Sequence, residues 1–258
     1  MQPSPSRLDA ALTAMGLFAT REQAQRALLA GAVEINGRRD AKPGSKAVAR
    51  RTEAGWQLFH GAREAAVTIR ERMPYVSRGG LKLAAALDAW ALDPAGLIAL
   101  DIGASTGGFS DCLLQRGARK VYAVDCGTGQ LHASLRRDPR VIVLEKTNAR
   151  FLSRTLIPEP PQIVTVDVSF ISLKLIVPVI AEIAPAGAWV VALVKPQFEV
   201  GPALVQRGGV VKDEAARRAA VSGIRACMVA RGWTIIGEIE SPLRGPAGNY
   251  EYLLGARL

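Results

Sequence analysis

Apolar and polar residues follow one clear pattern from Leu97 onward. Short apolar runs are separated by longer stretches with helical periodicity, which is typical of a parallel sheet wrapped by helices. The pattern predicts strands at residues 97–102, 120–125, 141–145, 162–167, 188–194, 233–239 and 250–256. The best-defined predicted helices lie between them, at residues 107–117, 171–184 and 213–231, the last capped by Asp213. We therefore expect an α/β domain with a Rossmann-like, seven-stranded sheet.

A different pattern covers the start of the chain. Two short amphipathic helices are predicted. Ser6 is the expected N-cap of the first, and Thr20 is the expected N-cap of the second, which covers Thr20 to Ala30. A short strand then enters the turn Asn36-Gly37. Two short helices and a tight hairpin predict a small α+β module.

The segment between the two patterns carries no chemistry that the sequence identifies. Trp56 to Phe59 are predicted as the last strand of the small module, and Ala62 to Arg72 as a linker or an added helix. We expect a small domain at residues 1–60, a linker at 61–80 and the large domain at 81–258.

Positive charge is concentrated in the small module. The formal net charge is +10, and the first 80 residues hold 13 Lys and Arg against 7 Asp and Glu. Six basic residues lie between Arg38 and Arg51, opposed only by Asp40. Such a density favours phosphate backbones, although a charge run by itself is more often a solvated loop.

Residues 6–48 resemble an S4-type RNA-binding domain through RLDAAL, TREQAQRALLAGAVEINGR and KPGSK. Arginine side chains on a helix can bridge phosphates with two hydrogen bonds, and basic loop residues add positive potential. The resemblance and this charge imply RNA-facing roles for Arg7, Arg21, Gln25, Arg26, Asn36, Arg38, Arg39, Lys42 and Lys46.

Other features exclude several classes of protein. Three cysteines without CxxC spacing and only two histidines argue against a disulfide framework and a structural zinc site, so we expect no metal. The most apolar stretch, residues 173–194, contains Lys174, Glu182 and two prolines, and the chain begins without an apolar signal segment. We therefore expect a cytoplasmic protein without a membrane partner.

The first predicted strand of the large domain ends in DIGASTGGFSD (101–111), with glycines that do not fit the dinucleotide pattern GxGxxG. The loop is similar to those that hold S-adenosylmethionine, in which an acidic residue meets the ammonium group of the ligand. Asp125 ends the next strand and is placed to accept hydrogen bonds from ribose hydroxyls. The alternative is a glycine-rich turn without function. The predicted cofactor-binding residues are Asp101, Gly103, Ser105, Thr106, Gly107, Gly108, Phe109, Asp125 and Asn148.

Charged residues also stand where burial is costly. Asp167 and Lys195 end adjacent apolar strands, where a buried lysine needs a carboxylate partner. On these two residues alone, a purely structural ion pair is a fair alternative. Lys82 follows YVSRGG, and Glu251 lies inside the last predicted strand. The set Lys82, Asp167, Lys195 and Glu251 resembles the K-D-K-E tetrad of FtsJ-type ribose 2′-O-methyltransferases.

The chain as a whole resembles the TlyA (haemolysin A) family of rRNA 2′-O-methyltransferases. Besides the S4-like start, the motifs are YVSRGGLKLAAAL (75–87), DIGASTGGFSD (101–111), VDVSFISL (166–173), LVKPQFE (193–199), GGVVKD (208–213) and GNYEYL (248–253). The resemblance implies methyl transfer from S-adenosylmethionine to the 2′-hydroxyl of a cytidine ribose. The implied substrate is ribosomal RNA, free or in ribosomal subunits.

The four charged residues then have expected roles. Lys195 takes the hydroxyl proton, since an apolar strand and a second lysine disfavour its charged form. Asp167 and Glu251 orient the two lysines, and Lys82 stabilises negative charge on the oxygen.

Two other functions stay open at this point: a haemolysin-like membrane-active protein, and an RNA-binding protein without methyltransferase activity. Other methyl acceptors fit less well. The loop after the fourth predicted strand is DVSF and not the (D/N)PP(Y/F) of exocyclic-amine methyltransferases, and it contains no cysteine nucleophile for carbon-5 methylation.

Overall fold

The computed structural model describes residues 5–29, 32–38, 41–53, 55–61, 63–69, 74–245 and 247–258. The chain divides into two compact units, Met1–Arg72 and Met73–Leu258.

The first unit is a small α+β module. Its described elements are β1 (Ser6–Arg7), α1 (Leu8–Ala14), α2 (Arg21–Leu29), β2 (Val33–Ile35), β3 (Lys46–Thr52), β4 (Gly55–His60), β5 (Arg63–Ala65) and β6 (Val67–Ile69). One antiparallel sheet has the order β1-β3-β4-β5, and β2 pairs with β6. Leu8, Leu12, Leu28, Val33 and Leu58 are buried in its core, so both helices pack their apolar faces against the strands.

The caps and the turn of this unit agree with the sequence at all but one position. Thr20 caps α2, because its hydroxyl accepts from the Gln23 amide at 3.2 Å. Asn36 and Gly37 both have positive φ, as a two-residue hairpin turn requires. Ser6 does not cap α1. It pairs with Ala47 as part of β1, and α1 begins without a side-chain cap.

The segment predicted as a linker contains strands. β4 is not the last strand of the small unit, because β5 pairs with β4 and β6 pairs with β2. Ala65 is buried in the core of this unit, and short strands of this kind gain stability only from such partners. The units divide after Arg72, so the predicted linker at residues 61–80 is shared between them.

The second unit is the expected α/β domain. Its described elements are α3 (Gly79–Ala89), β7 (Ile98–Ile102), α4 (Gly108–Gln115), β8 (Lys120–Val124), α5 (Ala133–Arg136), β9 (Val141–Leu144), β10 (Ile163–Val166), α6 (Val177–Ile183), β11 (Trp189–Val194), α7 (Pro196–Glu199), α8 (Glu214–Val229), β12 (Thr234–Glu240) and β13 (Tyr252–Arg257). The seven-stranded sheet has the order β12-β13-β11-β10-β7-β8-β9. The neighbouring pairs β11–β10, β10–β7, β7–β8 and β8–β9 are parallel. Strand β13 is antiparallel to both of its neighbours, β11 and β12.

Alternate residues of the central strands enter two different cores. Leu100 and Ile102 belong to one cluster, with residues of α6 and α8, and Ala99 belongs to the other, with residues of α3 and α4. Side chains alternate between the two faces of a strand, and parallel strands are normally buried on both faces. This explains why the strands are continuous apolar runs in the sequence.

One predicted helix is interrupted. Residues 171–184 form a 3₁₀ turn at Leu173–Leu175 and then α6, with Ile176 between them. Pro178 lies in the first turn of α6, where its missing amide donor costs nothing. The Asp213 cap is confirmed, since its carboxylate accepts from the Ala215 amide at 2.9 Å. Among the described residues, no helix has the length and apolar character to cross a membrane.

Candidate active site

The turn after β7 lies against the end of β10. Gly103 has φ +86°, and a Cβ there would lie 2.5 Å from the carbonyl oxygen of Asp167. The amides of Gly103 and Ala104 both donate to the Val124 carbonyl at the end of β8. A glycine is therefore required at this position, for its backbone conformation and for the close approach.

Gly107 and Gly108 serve packing within the protein. A Cβ on Gly107 would lie 2.2 Å from Cδ1 of Leu135, and one on Gly108 would lie 2.2 Å from Oγ of Ser77. The sequence predicts both glycines as cofactor-binding residues. The structure adds a second reason for a glycine at each position, which is the contact of the loop with α5 and with the segment before α3.

Two neighbouring cavities open at the carboxyl ends of the parallel strands, where ligands bind in open α/β sheets. The larger has a volume of about 770 Å³, and the smaller about 210 Å³. Gly103, Ser105 and Asp167 line both. The larger cavity is also lined by Asp125 and Asn148. The smaller is also lined by Lys82, Thr106, Gly108 and Phe109. Seven of the nine predicted cofactor residues thus line one cavity or both.

Asp101 faces inward and does not line either cavity. It is fully buried, and its oxygens accept from Oγ of Ser110 at 2.7 Å and from Oγ1 of Thr165 at 2.9 Å. Burial raises the pKa of Asp101 to about 6, and the nearby charge of Asp167 acts in the same direction. The prediction that this carboxylate meets an ammonium group is not supported, because both oxygens are held by hydroxyl groups in the core.

Asp125 is held at the edge of the larger cavity by backbone amides. Its oxygens accept from the Ser105 amide at 2.8 Å and from the Gly127 amide at 2.7 Å. The carboxylate is half-buried and keeps further acceptor capacity. Asn148 is exposed at the same edge, and its Oδ1 accepts from the Arg150 amide at 3.0 Å.

The four predicted catalytic residues form two ion pairs. Lys195 Nζ lies 2.6 Å from Oδ1 of Asp167 and also donates to Oγ of Ser169 at 2.9 Å. Lys82 Nζ donates to Oε2 of Glu251 at 2.5 Å, with side chains that are 11% and 1% exposed. Each lysine therefore has a carboxylate as its ion-pair partner in a largely water-excluded place.

Strand register brings these pairs to one end of the sheet. Val194 and Tyr252 form the last pair between β11 and β13. Lys195 directly follows Val194 and Glu251 directly precedes Tyr252, so both residues lie just beyond this end of the antiparallel pair. Asp167 follows β10, the other neighbour of β11. Lys82 comes from α3 and lines the smaller cavity together with Asp167.

Several residues at the cavity were not predicted. Segment 195–199 holds the loop after β10 at three points. Lys195 contacts Asp167 and Ser169, the ring of Phe198 lies 5.1 Å from that of Phe170, and Glu199 holds Ser172 and Leu173. Glu199 lies in the motif KPQFE and Ser169 in the motif VDVSFISL, but neither motif indicates these contacts. Phe170 is 91% exposed at the cavity edge and has φ +62°.

In the first unit, a buried carboxylate organises two of the predicted RNA-facing arginines. Arg7 makes hydrogen bonds to both oxygens of Asp9, and Arg21 Nε lies 3.3 Å from Oδ1 of the same residue. The arginine side chains stay about half exposed, whereas that of Asp9 is fully buried. Hydrogen bonds from Arg7 hold the pKa of Asp9 below its usual range.

The remaining residues predicted to face RNA differ in their contacts. Gln25, Arg38, Lys42 and Lys46 are exposed. The side-chain oxygen of Asn36 accepts from the Ala66 amide at 2.8 Å, so this residue ties the turn after β2 to the segment between β5 and β6. Arg39 and the side chain of Arg26 lie outside the described residues.

Both units of the chain are similar to known protein families. Residues 75–258 match the FtsJ-like methyltransferases, and residues 6–47 match the S4 domain. A protein of Mycobacterium tuberculosis named 16S/23S rRNA (cytidine-2′-O)-methyltransferase TlyA is 45% identical over 98% of this chain and 90% of its own length. The chain belongs to the TlyA family of FtsJ-like methyltransferases.

Other relatives of this TlyA-family chain carry different names. Hemolysin A of Brachyspira hyodysenteriae is 37% identical over 96% of the chain and 98% of its own length. A solved structure from Streptococcus thermophilus with the provisional name hemolysin is 42% identical, with a TM-score of 0.72 over 100% of this chain and 89% of that chain. The expected fold class is confirmed. Among the described residues, no three His, Cys, Asp or Glu side chains are grouped so that they could hold a metal ion.

Proposed function

We propose that this TlyA-family protein transfers a methyl group from S-adenosylmethionine to the 2′-hydroxyl of a cytidine ribose in ribosomal RNA. The observation that carries the proposal is the pair of lysine–carboxylate contacts, Lys195–Asp167 and Lys82–Glu251, beside the two cavities. The activity named for the Mycobacterium tuberculosis relative supports the choice of acceptor. Ribosomal RNA or a ribosomal subunit is the proposed partner, and the cytoplasm the proposed place of action.

The larger cavity fits the proposed cofactor. Its volume of about 770 Å³ lies within the range of about 300–1,000 Å³ that holds ligands of this size. Asp125 is placed to bind ribose hydroxyls, and Asn148 offers an amide to the base. Because Asp101 is enclosed by hydroxyl groups, Asp167 is the better candidate to attract the ammonium group and the sulfonium charge.

S-adenosylmethionine supplies the electrophilic methyl group when bound. The protein must hold the ribose oxygen in line with it and accept the hydroxyl proton. Lys195 accepts this proton in its neutral form, while Asp167 and Ser169 fix the position of its Nζ. Lys82, held by Glu251, stabilises negative charge that develops on the oxygen.

The experiment compares Lys195→Met and Lys195→Arg with the wild-type protein. Tritium transfer from labelled cofactor to ribosomal RNA is measured together with cofactor affinity by calorimetry. Both variants are expected to bind cofactor but to lose transfer by at least about 10²-fold, the lower range for general base catalysis. Arginine keeps the charge but cannot become a neutral base, so full activity of Lys195→Arg would contradict the assigned role.

A matched control and a mapping experiment complete the test. Lys174 is an exposed lysine of the same unit, and Lys174→Met is expected to transfer methyl groups at the wild-type rate. Mass mapping of 2′-O-methyl groups on ribosomal RNA, with and without the wild-type protein, identifies the acceptor. Methylation of a base, or of no nucleotide, would refute the proposed function.

A further inference from the structure

Two arginines contact one tyrosine ring next to a residue of the catalytic tetrad. The guanidinium carbon of Arg244 lies 3.4 Å from the ring centroid of Tyr250, and that of Arg217 lies 4.3 Å from the same centroid. Tyr250 directly precedes Glu251 in the chain, and Gly245, which follows Arg244, lies so close to Glu251 that a Cβ would be 2.5 Å from Oε1. The cationic cluster, defined here as Arg217, Arg244 and Tyr250, therefore adjoins the active site.

The loops that carry the cluster are tied together by a buried amide. Asn249 is 2% exposed, and its Oδ1 accepts from the Val211 amide at 3.0 Å while its Nδ2 donates to the Gly209 carbonyl at 2.7 Å. Arg217 Nη1 donates to the carbonyl of Lys212 at 2.7 Å. These contacts fix the segment before α8 against the segment before β13, so the cluster is held by the fold.

Within the part of the chain that the structure describes, neither arginine of the cluster has a carboxylate partner. Arg217 bonds only to backbone carbonyls, and its Nε is buried without a hydrogen-bond partner. Arg244 is exposed and contacts the Tyr250 ring. By contrast, the adjacent Arg218 forms an ion pair with Glu238 at 3.2 Å. Two positive charges next to one ring, with no negative charge between them, favour an anionic ligand.

We infer that the cationic cluster binds a phosphodiester group of the substrate RNA strand close to the ribose that is methylated. This inference rests on the proposed function for the identity of the RNA. Stacking on Tyr250 fixes the Arg244 guanidinium, so less conformational entropy is lost when it forms hydrogen bonds to two phosphate oxygens. The catalytic unit would then hold the strand through its own charge, in addition to the basic S4 unit.

The expected effect follows from counterion release. Each phosphate of a single strand that the protein neutralises adds about 0.7 to the steepness with which the logarithm of the binding constant falls with the logarithm of the salt concentration. At about 0.1 M salt, one such contact therefore strengthens binding about fivefold. Loss of one phosphate contact is therefore expected to weaken RNA binding about fivefold under these conditions and to reduce the salt slope by about 0.7.

The experiment measures binding of transcribed 16S and 23S ribosomal RNA by the full chain between 0.05 and 0.3 M salt. Arg244→Gln removes the charge and Arg244→Lys keeps it. Arg225→Gln is the matched control, because Arg225 is an exposed arginine on α8 of the same unit. The expected result is a reduced salt slope for Arg244→Gln alone, with the slope retained in Arg244→Lys.

Two results would overturn the inference. One is a slope for Arg244→Gln equal to that of Arg225→Gln. The other is a loss of affinity with the wild-type slope, which would assign the arginine to loop packing. Methyl transfer by the wild-type protein is measured on the same RNA. Transfer is also measured on ribosomal subunits, and its absence on both substrates refutes the proposed function, whereas the binding data test the cluster independently of catalysis.

Discussion

The ionisation of Asp101 is expected to make the second unit less stable at neutral pH than in mild acid. Burial raises the pKa of Asp101 from 3.8 to about 6. The folded protein therefore binds more protons than the unfolded chain between these two values. Stability from this group is fully present below pH 4 and is lost as the pH rises through 6. A shift of about 2 pKa units corresponds to roughly 3 kcal/mol in total.

Asp101→Asn is the perturbation that isolates this effect. The amide is neutral at every pH, and it can still pair with both hydroxyl groups, because its oxygen accepts from one and its nitrogen donates to the other. Between pH 4.5 and 7.5, the wild-type protein is expected to lose about 2 kcal/mol of stability relative to the variant, since part of the transition lies below pH 4.5.

The assay is urea unfolding followed by tryptophan fluorescence at several pH values. Trp90, Trp189 and Trp233 report on the second unit. Other titrating groups, such as Glu199, whose pKa is also raised by burial, contribute equally to both proteins and cancel in the difference. Parallel stability curves for the two proteins from pH 4.5 to 7.5 would refute the reasoning.

Two further predictions concern close contacts near the active site. A Cβ on Gly80 would lie 2.2 Å from Cγ of Tyr75, so Gly80→Ala is expected to destabilise the protein by about 1–3 kcal/mol and to lower its melting temperature. Gly201→Ala is the neutral control, because a Cβ there meets nothing within 4 Å. Equal melting temperatures of the two variants would contradict the prediction. Glu199 accepts from Oγ of Ser172 at 2.6 Å and from the Leu173 amide at 2.8 Å, so Glu199→Ala is expected to weaken cofactor binding in calorimetry by about tenfold through loosening of the cavity edge. Glu199→Gln keeps both contacts and is expected to restore binding, whereas equal affinities of the two variants would argue against this role.

Most of the fold could be predicted because its signals are local. The strands of the large unit are buried on both faces and form continuous apolar runs, and their predicted ends lie within two residues of the observed ones. Caps such as Thr20 and Asp213 depend on a side chain and an amide only two or three residues apart. β5 and β6 were missed, because three-residue strands carry little periodicity and are defined by distant partners such as β4 and β2.

The sequence named the residues of the candidate site better than it predicted the contacts that these residues make. The sequence placed Asp167 and Lys195 at strand ends and Glu251 inside the last strand. In the structure Glu251 directly precedes β13, and Asp167 and Glu251 form ion pairs with Lys195 and Lys82. The sequence also indicated Asp101, but it could not reveal the direction of this side chain, which depends on Ser110 and Thr165 from other elements.

The sequence by itself determined the two-part organisation, the order of the strands in the large unit and the residues that carry charge into this apolar unit. The reason is that periodicity, caps and the cost of burying charge act over short distances. Only the tertiary structure decided which carboxylate faces the cavities, why the loop glycines are required, and that Arg217 and Arg244 meet on Tyr250. Strand register and loop packing bring together residues that are far apart in the chain, and the physical reason is that these contacts exist only once the sheet has formed.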